Sequence, residues 1–313
     1  MCEECGCGLP SETPEIHAAP GRPHEHTHAH PHEHEHSHSH EHDHAHGPAH
    51  DHEHFHEHPH DHEHPHSPAS GHESPGPAAL ESRRLLEVRQ TILQKNDRQA
   101  ERNRGFFRAR GLLVLNVLSS PGSGKTTLLH QTLQALGRQL PAGVIVGDLA
   151  TDNDARRLRE SGAPVIQITT GTMCHLEAEM VARALKQLDC AGLGLLIIEN
   201  VGNLVCPAAY DLGEDVRVVL LSVTEGEDKP LKYPPMFQSA QVVILSKIDL
   251  AQACGFNRET ALANLRKVAP QARVFEVSAK TGQGMPPWLE FLQARHQAQK
   301  LSDPLAVDPG PAH

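Results

Sequence analysis

Apolar positions in this chain follow two different spacings. Over residues 80–108, Leu85, Leu86, Ile92 and Leu93 are set among Arg, Gln and Glu at helical intervals, and Gly111 ends the pattern. This predicts an N-terminal helical segment over 79–110. Beyond it, short unbroken apolar runs take over: LLVLNVL (112–118), GVIVGD (143–148), PVIQI (164–168), LGLLIIE (193–199), RVVLLSV (217–223), QVVILS (241–246) and RVFEV (273–277). Runs without polar alternation predict strands covered on both faces, and the connections between them are of helical length. The expected fold class is α/β, a single domain over 79–313 built on a mostly parallel, doubly wound sheet, with ligands at the carboxyl ends of its strands.

Residues 9–78 follow neither spacing. They are Pro, Gly, Ser, His and Glu with almost no aliphatic residues, too little apolar surface to offset the entropy of ordering, and a disordered tract is expected there. Of the 27 histidines in the 313 residues, 23 lie between His17 and His72. Fifteen acidic residues against Arg22 give the first 78 residues a balance of −14, so the chain's net −11 leaves +3 on the body. A nearly neutral body without a basic block or aromatic-basic patch argues against nucleic acid, and no apolar run approaches membrane-spanning length. A cytoplasmic protein is expected. Seven cysteines, three of them within positions 2–7, suit thiols or metal ligands better than a disulfide framework.

The chemistry concentrates at the ends of the expected strands. SSPGSGKTT (119–127) fits a phosphate-binding loop, with Ser119 where the first glycine would stand. Gly122, Ser123 and Gly124 supply a backbone that can turn its N–H groups to phosphate, Lys125 reaches the β and γ oxygens, and Thr126, followed by Thr127, can ligate Mg²⁺. A Mg-nucleotide site also needs carboxylates on neighbouring strands, and Asp148 and Glu199 end two of them. The expected Mg²⁺ set is Thr126, Asp148 and Glu199. The expected catalytic set is Lys125, Asp148 and Asp154, with Asp152 and Asp154 placed to touch metal or orient water. SKID (246–249) resembles the guanine-selecting NKxD with Ser246 for Asn, leaving Lys247 to lie along the base and Asp249 to accept from guanine. SAK, Ser278, Ala279 and Lys280, resembles a second guanine loop, so the order of motifs favours GTP over ATP.

These stretches, together with GDLATDNDARR, CHLEAEM, IIENVGNLVCPAAYDLGE and LLSVTEGEDKPLKYPPMF, resemble the HypB family of hydrogenase-maturation, nickel-insertion GTPases over nearly all of 80–300. The resemblance implies a P-loop GTPase acting in nickel transfer and a homodimer promoted by GTP or metal, with Lys229 in a dimer loop reaching towards the partner; no residue must serve as an internal arginine finger or a water-positioning glutamine, so slow intrinsic hydrolysis that gates transfer is expected. It also implies a small Zn- and Ni-binding partner of the HypA kind and, indirectly, the hydrogenase large subunit. It maps a metal site onto Cys174 and His175, at the start of a helix, and Cys206; two thiolates and an imidazole suit Ni²⁺ or Zn²⁺.

At the N-terminus, Cys2, Cys5 and Cys7 form a CxxCxC head over residues 1–8 whose glycines let three sulfurs converge on one cation. Behind it His24, His26, His28, His30, His32, His34, His36, His38, His40, His42 and His44 alternate with Glu, Ser, Ala, Thr, Pro and Asp. Imidazoles two residues apart lie about 7 Å apart on one side of an extended chain, close enough to chelate Ni²⁺ or Zn²⁺ cooperatively. The expected division is storage in the tract, tighter binding in the head, and gating by the body. Two rivals stay open: a metal-storage protein that uses its nucleotide domain only to dimerise, and the related urease-type GTPase.

Overall fold

The computed structural model describes residues 15–17 and 77–302. Contacts divide the chain into two units, one of Met1–Pro20 with Arg84–His313 and one of Gly21–Arg83, of which only the opening residues of a helix are described. The first unit is built on one sheet. Its strands are β1 (Glu15–His17), β2 (Leu113–Ser119), β3 (Ala142–Asp148), β4 (Val165–Thr169), β5 (Leu195–Glu199), β6 (Val216–Ser222), β7 (Val242–Ser246) and β8 (Arg273–Val277). They lie in the order β1-β4-β3-β5-β2-β6-β7-β8; β2 to β8 are parallel and β1 is antiparallel to β4.

All seven strands expected from the apolar runs are present. The reason is visible in β2, where every residue is buried and alternate side chains feed opposite faces of the sheet. Leu113, Leu115 and Val117 join the core under α2 (Lys125–Leu136), α3 (Asn153–Arg159) and α8 (Met285–Ser302). On the opposite face Val114 packs with Phe107 of α1 (Pro77–Ala109) and with Met180 and Val181 of α4 (Ala178–Leu185). Leu118 packs there with Met236 and Phe237 of α6 (Pro234–Gln238) and with Leu265 of α7 (Arg258–Val268). Two covered faces make the sheet doubly wound, as the sequence implies.

Three local readings change. The tract expected to be without structure contains β1, whose Ile16 is a rare aliphatic residue there and packs partly buried against the α1/α4 core. Helix α1 begins at Pro77, and its two halves differ: Ala100 and Phe107 are buried, whereas Leu86, Val88 and Ile92 are exposed. DKPLKYP, read as a loop, holds the short helix α5 (Lys229–Lys232) and leads into α6, because Pro230 and the Pro234–Pro235 pair stand at helix starts, where a missing N–H costs nothing. Among the described residues no helix is long and apolar enough to cross a membrane.

Candidate functional site

The phosphate loop begins where β2 ends. Gly122 (φ 73°) and Gly124 (φ 95°) take left-handed backbone that L side chains avoid, and α2 starts at the next residue, Lys125. Lys125 is almost buried, with Nζ donating to Ser119 Oγ at 2.9 Å; Ser123 Oγ donates to the same oxygen at 2.5 Å. The serine in place of the first glycine therefore parks the lysine. Burial lowers the Lys125 pKa, against the opposing pull of Glu199, Asp154, Glu225 and Asp148.

Glu199 ends β5 opposite Val117 of β2 and Val146 of β3. Its Oε1 accepts from Thr126 Oγ1 at 2.8 Å, while Oε2 is buried with no partner. Desolvation pushes this carboxyl up to about 7, though Lys125 and the Thr126 hydroxyl pull the other way. A buried, half-satisfied carboxylate beside a threonine hydroxyl and a lysine suits a hard cation, so the residues fit Mg²⁺. Asp148 ends β3 and accepts from Leu149 N–H and Thr151 Oγ1. Asp154 lies in the first turn of α3. Residues 121–127, Asp148, Asp154, Glu199 and Lys247 line one cleft of 460 Å³, together with Arg157, a cation that the sequence reading passed over.

Ser246 ends β7, and its hydroxyl donates to the Ser123 carbonyl at 2.8 Å, tying the end of β7 to the phosphate loop. Lys247, in left-handed backbone at φ 57°, donates from Nζ to the Gly122 carbonyl at 2.6 Å, and its stem passes 3.5 Å from the place a Cβ would take on Gly124. Asp249 follows in a 3-10 turn and is exposed. Ser278, Ala279 and Lys280 come directly after Val277, which pairs with Ser246. Ser278 is buried and accepts from Thr281 N–H, Ala279 packs on the core and Lys280 is exposed.

A second cluster lies in the segments that follow β4 and β5. The ligand atoms of Cys174, His175 and Cys206 all fall within 4.8 Å of one another. Cys174 and His175 occupy the loop after β4 rather than a helix start, since α4 opens only at Ala178, while Cys206 starts a 3-10 turn. The His175 ring stacks on Tyr210 with centroids 4.0 Å apart, its Nε2 is buried without a hydrogen bond, and Glu177 Oε1 stands 3.8 Å from that nitrogen. His175 Nδ1 stands 4.0 Å from Cys174 Sγ, and two sulfurs with an imidazole nitrogen so grouped fit a borderline cation. Asn200, next to Glu199, holds this loop: its Oδ1 accepts from Leu176 N–H at 3.2 Å and Val201 N–H at 2.9 Å, and its Nδ2 donates to Asn116 Oδ1. Asn203 Nδ2 reaches the Cys174 carbonyl at 3.4 Å. Asn96 and Asn103 of α1 bond the N–H and carbonyl of Ala178, where α4 begins.

A family model described as CobW/HypB/UreG, nucleotide-binding domain, matches residues 113–276. Hydrogenase maturation factor HypB of Azotobacter chroococcum mcd 1 is 52% identical over 229 residues, covering 72% of this chain and 75% of that protein. The chain belongs to the HypB family. HypB of Escherichia coli (strain K12) is 52% identical over 219 residues, 70% of this chain and 76% of that one. Among solved structures, HypB from Helicobacter pylori in complex with nickel is 43% identical and superposes with a TM-score of 0.62 over 65% of this chain and 96% of that one. HypB from Archaeoglobus fulgidus gives 0.61 at 39% identity, over 65% and 99%.

Within that HypB frame the sequence reading missed Arg157, Asn200, Glu177 and Tyr210, which are polar loop or helix residues with no spacing to mark them. Lys229, expected in a dimer loop, has its Nζ 4.0 Å from Glu225 Oε1 and 5.2 Å over the Tyr233 ring of its own chain. Cys2, Cys5, Cys7 and the histidines from His24 to His44 lie outside the described residues.

Proposed function

We propose that this HypB-family chain is a GTP-dependent nickel metallochaperone that binds, stores and delivers Ni²⁺ for hydrogenase maturation, with slow GTP hydrolysis gating transfer. The observation that carries the reading is the adjacency of Glu199 and Asn200. One bonds Thr126 in the phosphate cleft, and the next residue bonds Leu176 beside His175. The nickel complex of the H. pylori relative supports nickel as the cargo. In this reading Thr126, Asp148 and Glu199 hold Mg²⁺, whose charge would draw the nucleotide's β and γ oxygens toward Lys125. Asp154 orients water, and Lys247, Asp249 and residues 278–280 hold guanine. Cys174, His175 and Cys206 take Ni²⁺ or Zn²⁺. No glutamine lines the described cleft to position water, in keeping with slow turnover.

The remaining parts follow the same logic. Residues 1–8 form a tight cation site and 9–78 a storage tract ahead of the GTPase domain at 79–313. Seven cysteines, three of them within positions 2–7, suit thiol or metal chemistry better than a disulfide framework, which favours the cytoplasm. A nucleotide-bound homodimer would require Lys229 to leave Glu225. A small HypA-like protein receives the cation on its way to the hydrogenase large subunit. One relative is named as a hydrogenase/urease maturation factor, 43% identical over 215 residues, which keeps urease as a second destination.

The test is Ni²⁺ and Zn²⁺ affinity by chelator competition in the apo, GDP and non-hydrolysable GTP states, using a chain without residues 24–66 and with Cys2, Cys5 and Cys7 changed to Ser. A change of at least about tenfold between nucleotide states is expected, and metal must then shift nucleotide affinity equally. Unchanged affinities would favour a storage protein whose nucleotide domain only dimerises.

A further inference from the structure

Helix α3 carries Arg156, Arg157 and Arg159 in its last turn, and nothing in the sequence tells them apart. The fold does. Ala155 and Leu158 are buried in the core beneath the sheet, which fixes the rotation of the helix. Arg156 donates to the Asn153 side chain of its own helix, and Arg159 Nε is buried. Arg157 lines the phosphate cleft. Any of the three can offset the negative end of the α3 dipole, so that role does not account for a guanidinium at the cleft.

Three cationic side chains line that cleft. Lys125 is held by Ser119 Oγ, and Lys247 by the Gly122 carbonyl. Arg157 makes no hydrogen bond or ion pair with any described residue, although Asp154 stands three positions before it, on the same face of α3 and in the same cleft. Asp154 in turn is close enough to Lys125 and Glu199 to influence both. Those two residues mark the end of the cleft where the terminal phosphate of a bound nucleotide would lie. Three residues of helix rise only about 4.5 Å, less than the length of an arginine side chain, so Arg157 has that end within reach.

We propose that Arg157 grips the γ-phosphate of a nucleoside triphosphate, separating it from the diphosphate and stabilising the charge on its oxygens during hydrolysis. This rests on the reading of the cleft as a GTPase site. A planar fork of N–H donors fits two non-bridging oxygens at once, which an ammonium cannot do. In the step that Arg157 assists, a water oxygen bonds the γ-phosphorus as the bond to the β–γ bridging oxygen breaks. That oxygen leaves with the electron pair on GDP, the water's protons go to the product phosphate and to solvent, and the guanidinium keeps its own proton throughout. The arginine acts within its own chain, and without a glutamine to align the water, turnover stays slow.

The experiment uses the full chain with Mg²⁺ and compares Arg157→Ala, Arg157→Lys and Arg156→Ala with the unaltered protein. Calorimetric titration with GDP and with a non-hydrolysable GTP analogue gives the two affinities, and single-turnover hydrolysis gives the rate. Arg157→Ala should weaken the triphosphate analogue at least about tenfold, leave GDP within about twofold and slow hydrolysis at least about tenfold. Arg157→Lys should recover part of the affinity and less of the rate. Arg156→Ala, which removes the same charge from the same helix, should change none of these values. Equal losses for GDP and the analogue would put Arg157 on the inner phosphates or the base and overturn the proposal, as would no loss at all or the same losses in Arg156→Ala. If the unaltered chain binds neither nucleotide, the GTPase reading itself has failed and this proposal falls with it.

Discussion

Ser246 shows how one hydroxyl stands in for a longer amide. Its bond to the Ser123 carbonyl joins the end of β7, proposed to read the base, to the phosphate loop, so Ser246→Ala should weaken GDP and GTP binding about fivefold, the value of about 1 kcal/mol for one lost hydrogen bond, with Ser246→Asn recovering most of it in calorimetric titration. Glu199 contributes a pH dependence. Its carboxyl is held at about 7 in the folded apo chain against an ordinary 4.5, so the folded state binds more protons there, and stability falls as pH rises across that interval. Glu199→Gln should remove that part of the slope: in urea titrations without nucleotide or metal, the variant should gain on the unaltered chain between pH 5 and pH 7.5. Glu199, Asp148 and Lys125 were legible in the sequence because strand ends and a glycine-rich loop announce them. Asn200 and Arg157 were not, since their roles depend on which loops the sheet brings together.

At the scale of elements, close approaches decide what varies. A Cβ on Gly147 of β3 would stand 2.7 Å from Leu176 Cδ2, so Gly147→Ala must push the residue next to His175. The expected result is weaker metal binding at Cys174/His175/Cys206 with nucleotide binding less affected, read by chelator competition beside calorimetry. On the opposite face Trp288 of α8 is fully buried, donates from Nε1 to Thr132 Oγ1 of α2 at 3.0 Å, and packs against Phe275 and Phe291. Trp288→Ala should cost about 3–5 kcal/mol in chemical denaturation followed by circular dichroism. The seven parallel strands could be read from apolar runs because both faces of each are covered. Strand β1 could not, since three residues with one aliphatic carry no periodicity and gain order only from β4. Helix α5 was hidden by prolines that look like loop markers and here open helices.

Across the whole molecule, charge divides along the chain, and the proposed functions divide with it. The acidity belongs to the first 78 residues, so deleting residues 24–66 should lower nickel stoichiometry in equilibrium dialysis while leaving GTP turnover unchanged. Composition made that division legible, and motif order made the nucleotide domain legible; the distance between its two sites was not, because only the folded sheet places the ENVGN segment between them. Glu199 and Asn200 share a peptide bond, and their side chains are bonded to the two different clusters, one to Thr126 and the other to Leu176. If the two clusters are coupled as proposed, a rotation of that single plane would be felt at once by both occupants, like two pans hung from one beam. No relay of intermediate residues would then be required, and a substitution distant from this plane would have little means of separating the two responses.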